Sequence, residues 1–167
     1  IQARARKEGQ NIRKQGAATG ESRIGEFEMK TLFIPSGPFS WASARLRMFW
    51  PAKYMKDTDT IMSDDFSEHV DELMDYDNYV FQKRVEIEIV QFLNAAGKHV
   101  YWDLCDPLHW FQPKWSREVA DLMDKVVCST EALTDDFNQW YGKPIAICIP
   151  DRLELSHFPK QRKHADV

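Results

Sequence analysis

The sequence is short of the features that would name a chemistry at once. It holds no G-x-S-x-G nucleophile elbow and no H-E-x-x-H pair, which excludes the common serine-hydrolase and zinc-protease signatures. The turn after the first apolar run reads Pro35-Ser36-Gly37-Pro38-Phe39-Ser40, with neither the three-glycine spacing of a dinucleotide site nor a glycine-lysine-serine phosphate cradle. A standard NAD or P-loop site is therefore not expected, and His, Cys and acidic residues nowhere take a dedicated metal spacing, so no metal is expected either. No run approaches the roughly 20 apolar residues needed to cross a bilayer, and no apolar stretch follows the N-terminal charges as it would in a secretion signal. Cysteine is scarce and odd in number. Cys105, Cys128 and Cys148 lie in or beside apolar runs and read as reduced core residues, which points to a cytoplasmic chain. A formal charge of -4 gives no general pull toward nucleic acid, whose phosphates demand a concentrated basic surface.

What is present is enough apolar material for one core. The chain has 167 residues, 43% hydrophobic and 13% aromatic, which favours a single domain with an appendage. Residues 1–28 differ from the rest: Arg4, Arg6, Lys7, Arg13, Lys14 and Arg23 are interleaved with glycines, and Phe27 is the only aromatic. That composition predicts a flexible leader, with a basic arm for an anionic membrane surface or polyanion as the functional alternative. The globular pattern spans 29–158, and 159–167 is a polar tail.

Within 29–158 short apolar runs alternate with helical stripes. Leu32-Phe33-Ile34 predicts a first strand; residues 40–55 a helix with Ser40 as its cap, kinked or restarted at Pro51; residues 57–63 a weak second strand. Phe66, Val70, Leu73 and Met74 share a helical face before a third strand at Tyr79-Val80-Phe81. Val85–Ile89 alternates like a strand, yet Val85, Ile89, Phe92, Leu93 and Ala96 make a helical stripe ending at Gly97, and length with the glycine decides for helix. Then follow strand HVYWDL, a proline-rich aromatic loop, a helix with Trp115, Val119 and Leu122 inward, strand KVVCS, a helix with Leu133, Phe137 and Tyr141 inward, and strand IAICI. Strands separated by single helices run parallel with right-handed crossovers, so the fold class is α/β, a doubly wound, mostly parallel sheet of about six strands. Ligands of such folds bind where strand ends meet helix starts.

The candidates at those positions form three groups. After the first strand, small residues including Ser43 allow a close helix start, and Arg45 and Arg47 bring positive charge suited to phosphate or carboxylate, unless their stems merely cover apolar surface. After the fourth strand, Asp106 and His109 are the candidates for hydrogen bonding or proton transfer, beside Trp110, Phe111 and Trp115, whose rings suit a sugar face; a turn-capping Asp106 and a partly exposed His109 are the bland alternative. After the fifth, Thr130 reads first as a helix N-cap with Glu131 in the first turn, a geometry that also turns backbone N–H groups toward the crevice.

Taken together, S-x-A-S-A-R-x-R after the first strand, YVFQK at the third, VYWDLCDP at the fourth, KVVCSTEAL at the fifth and the terminal YGKPIAICIPDRLEL resemble the N-terminal half of glycosyltransferases of the GT-B architecture, most closely the retaining, group 1-like type. The resemblance implies a Rossmann-like acceptor-side domain whose partner, a second Rossmann domain, holds most of a nucleotide-sugar donor, with transfer to a saccharide, lipid-linked or surface-polymer acceptor. It implies no further cofactor. It would put Ser36 and Gly37 near the donor's phosphates or sugar and Arg45, Asp106, His109 and Thr130 along the cleft, with Ile149-Pro150-Asp151 marking the exit toward the second domain, where the family usually has Pro-Asn. The glutamate-bearing donor motif of the family has no counterpart in this sequence, so the expectation is an incomplete glycosyltransferase-type domain. The alternative is a non-catalytic Rossmann-like binding or assembly module. On the first reading the unpartnered cleft is expected to leave an exposed apolar patch containing Trp110 and Phe111.

Overall fold

The structure is a computed structural model and describes residues 29–151; the expected leader (1–28), the end of the globular range (152–158) and the polar tail (159–167) lie outside the described residues. Each expected strand is present: β1 (Thr31–Ile34), β2 (Thr58–Thr60), β3 (Asn78–Gln82), β4 (His99–Leu104), β5 (Lys125–Cys128) and β6 (Ala146–Cys148). They form one six-stranded sheet, parallel throughout, in the order β2-β1-β3-β4-β5-β6. Parallel neighbours cannot be joined by a tight turn, so each connection carries helix. Between β1 and β2 lie α1 (Ala42–Ala44), a π-helical turn (Arg45–Phe49) and α2 (Trp50–Tyr54); between β2 and β3, α3 (Ser63–His69) and a 3-10 turn (Val70–Leu73). The remaining connections hold α4 (Ile87–Ala95), α5 (Leu108–Phe111) with α6 (Pro113–Ala120), and α7 (Glu131–Tyr141).

The strand order dictates the layering. The step from β1 to β2 runs one way and every later step the other, and right-handed crossovers then place the two sets of helices on opposite faces. One face, with Leu32, Tyr79, Phe81, Trp102 and Val126, is buried beneath Phe66 of α3, Leu93 of α4, Val119 of α6 and Phe137 of α7. The other, with Phe33, Val80, Tyr101, Val127 and Ile147, meets Leu46, Pro51 and Met55 of the β1–β2 connection and otherwise lines an apolar groove of about 440 Å³. The chain reverses direction at β1, whose neighbours are β2 and β3. That reversal opens a crevice at the carboxyl ends of β1 and β3.

Local chemistry accounts for most element boundaries. Gly97, at φ 73°, ends α4 in the left-handed conformation that costs glycine least. Thr130 caps α7, its Oγ1 accepting from the Leu133 N–H at 3.1 Å, and Gly142 closes the same helix at φ 85°. Pro51 does not restart the helix: the π-helical turn Arg45–Phe49 runs straight into α2 with helical backbone at Phe49 and Trp50, and this bulge in the hydrogen-bond ladder lies directly before the proline. Two further details differ from the sequence reading. Ser40 is not the cap of α1: Trp41 holds that position without a side-chain bond, and the Ser40 carbonyl accepts from Arg45 instead. The proline-rich loop after β4 winds into α5, leaving Trp110 63% and Phe111 74% exposed, the apolar patch expected there.

Candidate functional site

Because all strands are parallel, one edge of the sheet collects every strand-to-helix turn. Ser36 and Gly37 follow β1, Lys83 follows β3, Cys105 and Asp106 follow β4, Ser129 and Thr130 follow β5, and Ile149 to Asp151 follow β6. At the reversal point Ser36 donates both its backbone N–H and its hydroxyl to Gln82 Oε1 at 3.3 Å. Gln82 is fully buried, and its Nε2 finds no acceptor among the described residues. A Cβ on Gly37 would lie 2.2 Å from the Trp41 ring, so only glycine fits the turn as built.

Lys83 adopts a left-handed backbone (φ 56°) and is held at both ends: its N–H donates to the Asp103 carbonyl at 3.1 Å, and its carbonyl accepts from Trp102 Nε1 at 3.1 Å. This aims its ammonium at Asp106, with Nζ to Oδ2 at 2.5 Å. The hydrogen bond from Lys83 holds the Asp106 carboxyl below its ordinary value, more than offsetting partial burial. Burial is the strongest single influence and works to lower the Lys83 ammonium, but Asp106 and Cys105 together outweigh it, leaving a net rise. Cys105, whose Sγ lies 3.6 Å from Asp106 Oδ2, has its thiol pushed up by burial, so it stays protonated at neutral pH. The pair thus presents a carboxylate and an ammonium side by side. Asp106 remains free to accept from a hydroxyl, since a carboxylate has acceptor sites beyond the one Lys83 fills.

A second charged cluster lies beneath the same edge. Arg47, on the π-helical turn, reaches across the sheet to Asp103 on β4, with Nε at 2.7 and 2.9 Å and Nη2 at 2.6 Å, the side chains being 3% and 5% exposed. Its Nη1 donates to the Ile149 carbonyl at 3.0 Å and to Asp151 Oδ1 at 2.6 Å. Burial pushes the Asp103 carboxyl up to about 6 while the guanidinium pulls it back, and the contacts to Asp103 hold Arg47 protonated against its own burial. The chain's exit from β6 is therefore stapled to β4 and to the first helical connection.

The remaining candidates are placed differently. Arg45 turns back onto its own loop, Nη1 donating to the Phe39 and Ser40 carbonyls at 3.2 Å, with its guanidinium over the Phe39 and Trp50 rings. Ser43 lies half-buried in α1, and Glu131 is exposed in the first turn of α7. His109 is buried, not exposed: Nε2 meets Asp136 Oδ2 of α7 at 2.6 Å, and the ring packs on Phe137 and Trp140. The structure thus brings Ser36 and Gly37 to the reversal point, Asp106 to Lys83, and Thr130 to the same edge, and it separates His109 from Asp106. Sequence reasoning did not single out Gln82, Lys83 or Asp136 as site residues. A polar Gln-Lys directly after an aromatic strand run was the available signal for the first two; Asp136 carried none, being one of several acids on an amphipathic helix. Among the described residues no cluster of His, Cys, Asp and Glu could hold a metal ion, and no helix is long and apolar enough to cross a membrane. No family model, curated protein or solved structure matches this chain.

Proposed function

We propose that this chain carries the acceptor-side Rossmann-like half of a GT-B glycosyltransferase, using a nucleotide-sugar donor. The observation that supports the reading is that one sheet edge carries the glycine turn at Ser36-Gly37 and the Lys83–Asp106 pair beside the β1/β3 reversal, with the capped start of α7 at Thr130 further along it, after β5. These are the segments whose sequences carry the resemblance. Backbone N–H groups at the start of α7 suit phosphate oxygens, and Asp106 suits a sugar or acceptor hydroxyl. The Arg47 staple fixes the direction in which Ile149-Pro150-Asp151 leaves the domain, which a facing second domain requires. The partners are then the donor, a glycan or lipid-linked acceptor and the second Rossmann domain; transfer needs groups from both walls of a cleft that excludes water.

The natural polypeptide carrying residues 1–167 should release nucleoside diphosphate from one of the common nucleotide sugars, and Asp106→Asn should slow that release without lowering thermal stability. Failure to hydrolyse or transfer from any of them ends the reading. A second reading, a non-catalytic assembly module, is favoured by one observation: the apolar groove over Val80, Tyr101, Val127 and Ile147. Concentration-dependent association that is abolished by Val80→Lys, with no nucleotide binding, would favour it.

A further inference from the structure

On the helix-covered face, opening at the carboxyl ends of β1 and β3, lies a pocket of about 310 Å³, at the lower end of the roughly 300–1,000 Å³ spanned by small-molecule sites. Of Ser36, Gly37, Lys83, Asp106 and Thr130, only Lys83 lines this pocket. Its floor is apolar: Ile34 of β1, Phe81 of β3 and Phe66 of α3 are the ends of core side chains, Ile89 and Leu108 flank them, and Trp115 of α6 stands at the wall. Its rim is polar and comes from three different connections, with Ser63 and Ser67 on α3, Lys83, Arg84 and Glu86 before α4, and Gln112 between α5 and α6.

Both cations on that rim are ion-paired, and its carboxylate is hydrogen-bonded. Lys83 is paired with Asp106 at 2.5 Å, Arg84 with Asp64 at 3.2 Å, and Glu86 accepts from the Ser67 hydroxyl at 2.5 Å. An anion entering here would have to compete with Asp64 and Asp106 for both cations and would meet Glu86 as a like charge. A neutral polyol exchanges hydrogen bonds with the same groups and leaves the ion pairs in place. The apolar floor with aromatic rings beside it suits the C–H face of a pyranose, and the size suits one ring and not a nucleotide. We propose that this pocket holds a single neutral sugar residue, with Ser67 and Gln112 reading its hydroxyls and Trp115 covering its apolar face. The assignment of that sugar as the acceptor end rests on the glycosyl-transfer reading above.

The test is a pair of titrations on the chain, followed by saturation-transfer NMR. In the first, methyl glycosides of glucose, galactose, mannose and N-acetylglucosamine are added; at least one binds, and Ser67→Ala and Gln112→Ala each weaken it by about tenfold, the usual consequence of removing one hydrogen-bonding group from a site. Inorganic phosphate does not displace it. No binding by any of the four glycosides to chain shown folded by circular dichroism overturns the proposal. So does glycoside binding that both variants leave unchanged, or displacement by phosphate. The second titration adds nucleoside diphosphates to the natural polypeptide carrying residues 1–167: nucleotide binding there without glycoside binding overturns the sugar pocket alone, and variant-sensitive glycoside binding without any nucleotide binding overturns the transfer reading alone.

Discussion

Replacing Arg47 by methionine should be among the most damaging single changes in the described domain, and the structure sets its size. The guanidinium makes three contacts of 2.6–2.9 Å to Asp103, and neither side chain is more than 5% exposed. Removing it leaves a buried carboxylate with no counter-charge, which costs about 3–5 kcal/mol. At about 4 °C per kcal/mol for a domain of this size, the melting temperature should fall by roughly 10–20 °C. The loss should also depend on pH. Burial already pushes the Asp103 carboxyl up to about 6 against the pull of Arg47, and without Arg47 it rises further. A carboxyl whose folded value exceeds its unfolded one keeps a proton that the unfolded chain releases, so stability falls as pH rises through that interval. The variant should therefore lose less near pH 5 than near pH 8, measured by urea unfolding followed by circular dichroism. Arg47→Met combined with Asp103→Leu should recover most of the loss, because it removes the stranded charge. A loss below about 1 kcal/mol at the higher pH, or one independent of pH, would show that the pair is solvated and refute the reasoning.

Three further outcomes are expected. Asp136→Ala should cost about 1–3 kcal/mol in urea unfolding, since it leaves the buried His109 imidazole, whose Nδ1 already lacks a partner among the described residues, with neither nitrogen bonded. Thr130→Ala should cost about 1 kcal/mol through loss of the α7 cap, read as a matching fall in the urea midpoint with an unchanged slope. Tyr76 and Tyr79 are both pushed up to about 12, chiefly by burial, so the folded state holds their protons longer than the unfolded state does, and stability should decline as pH rises from about 10 to 12; Tyr79→Phe should flatten that decline in alkaline melts.

What the sequence made legible was local. Five of the six strands could be read because each holds a short apolar run, the Thr-Asp-Thr of β2 being the weak one, and α4 and α7 because their stripes end at Gly97 and Gly142. Thr130 was readable as a cap for the same reason: its role is decided within three residues of itself. The strand order was not, because β1 is placed between β2 and β3 by packing and not by adjacency in the chain. Nor was the fate of Arg47, whose partners lie 56 and 104 residues away; a cation beside a strand end looks the same in sequence whether it faces a ligand or a buried aspartate. For His109 the sequence leaves a proton-transfer role and a partly exposed ring both open, because α5 is invisible in the proline-rich loop; the ring is closed in by Asp136, Phe137 and Trp140 from α7. Asp106 was legible as a strand-end carboxylate, while Lys83 became visible as its partner only once β3 and β4 were paired.

The account stands or falls on where a nucleotide sugar meets this domain. Amide chemical shifts recorded while common nucleotide sugars are titrated into the natural polypeptide carrying residues 1–167 test it directly: saturable changes that include Ser36, Gly37, Lys83, Ser129 and Thr130, at the carboxyl edge of the sheet, are the predicted result. Changes confined to the opposite edge around His99 and Lys125, or none with any donor, would contradict it.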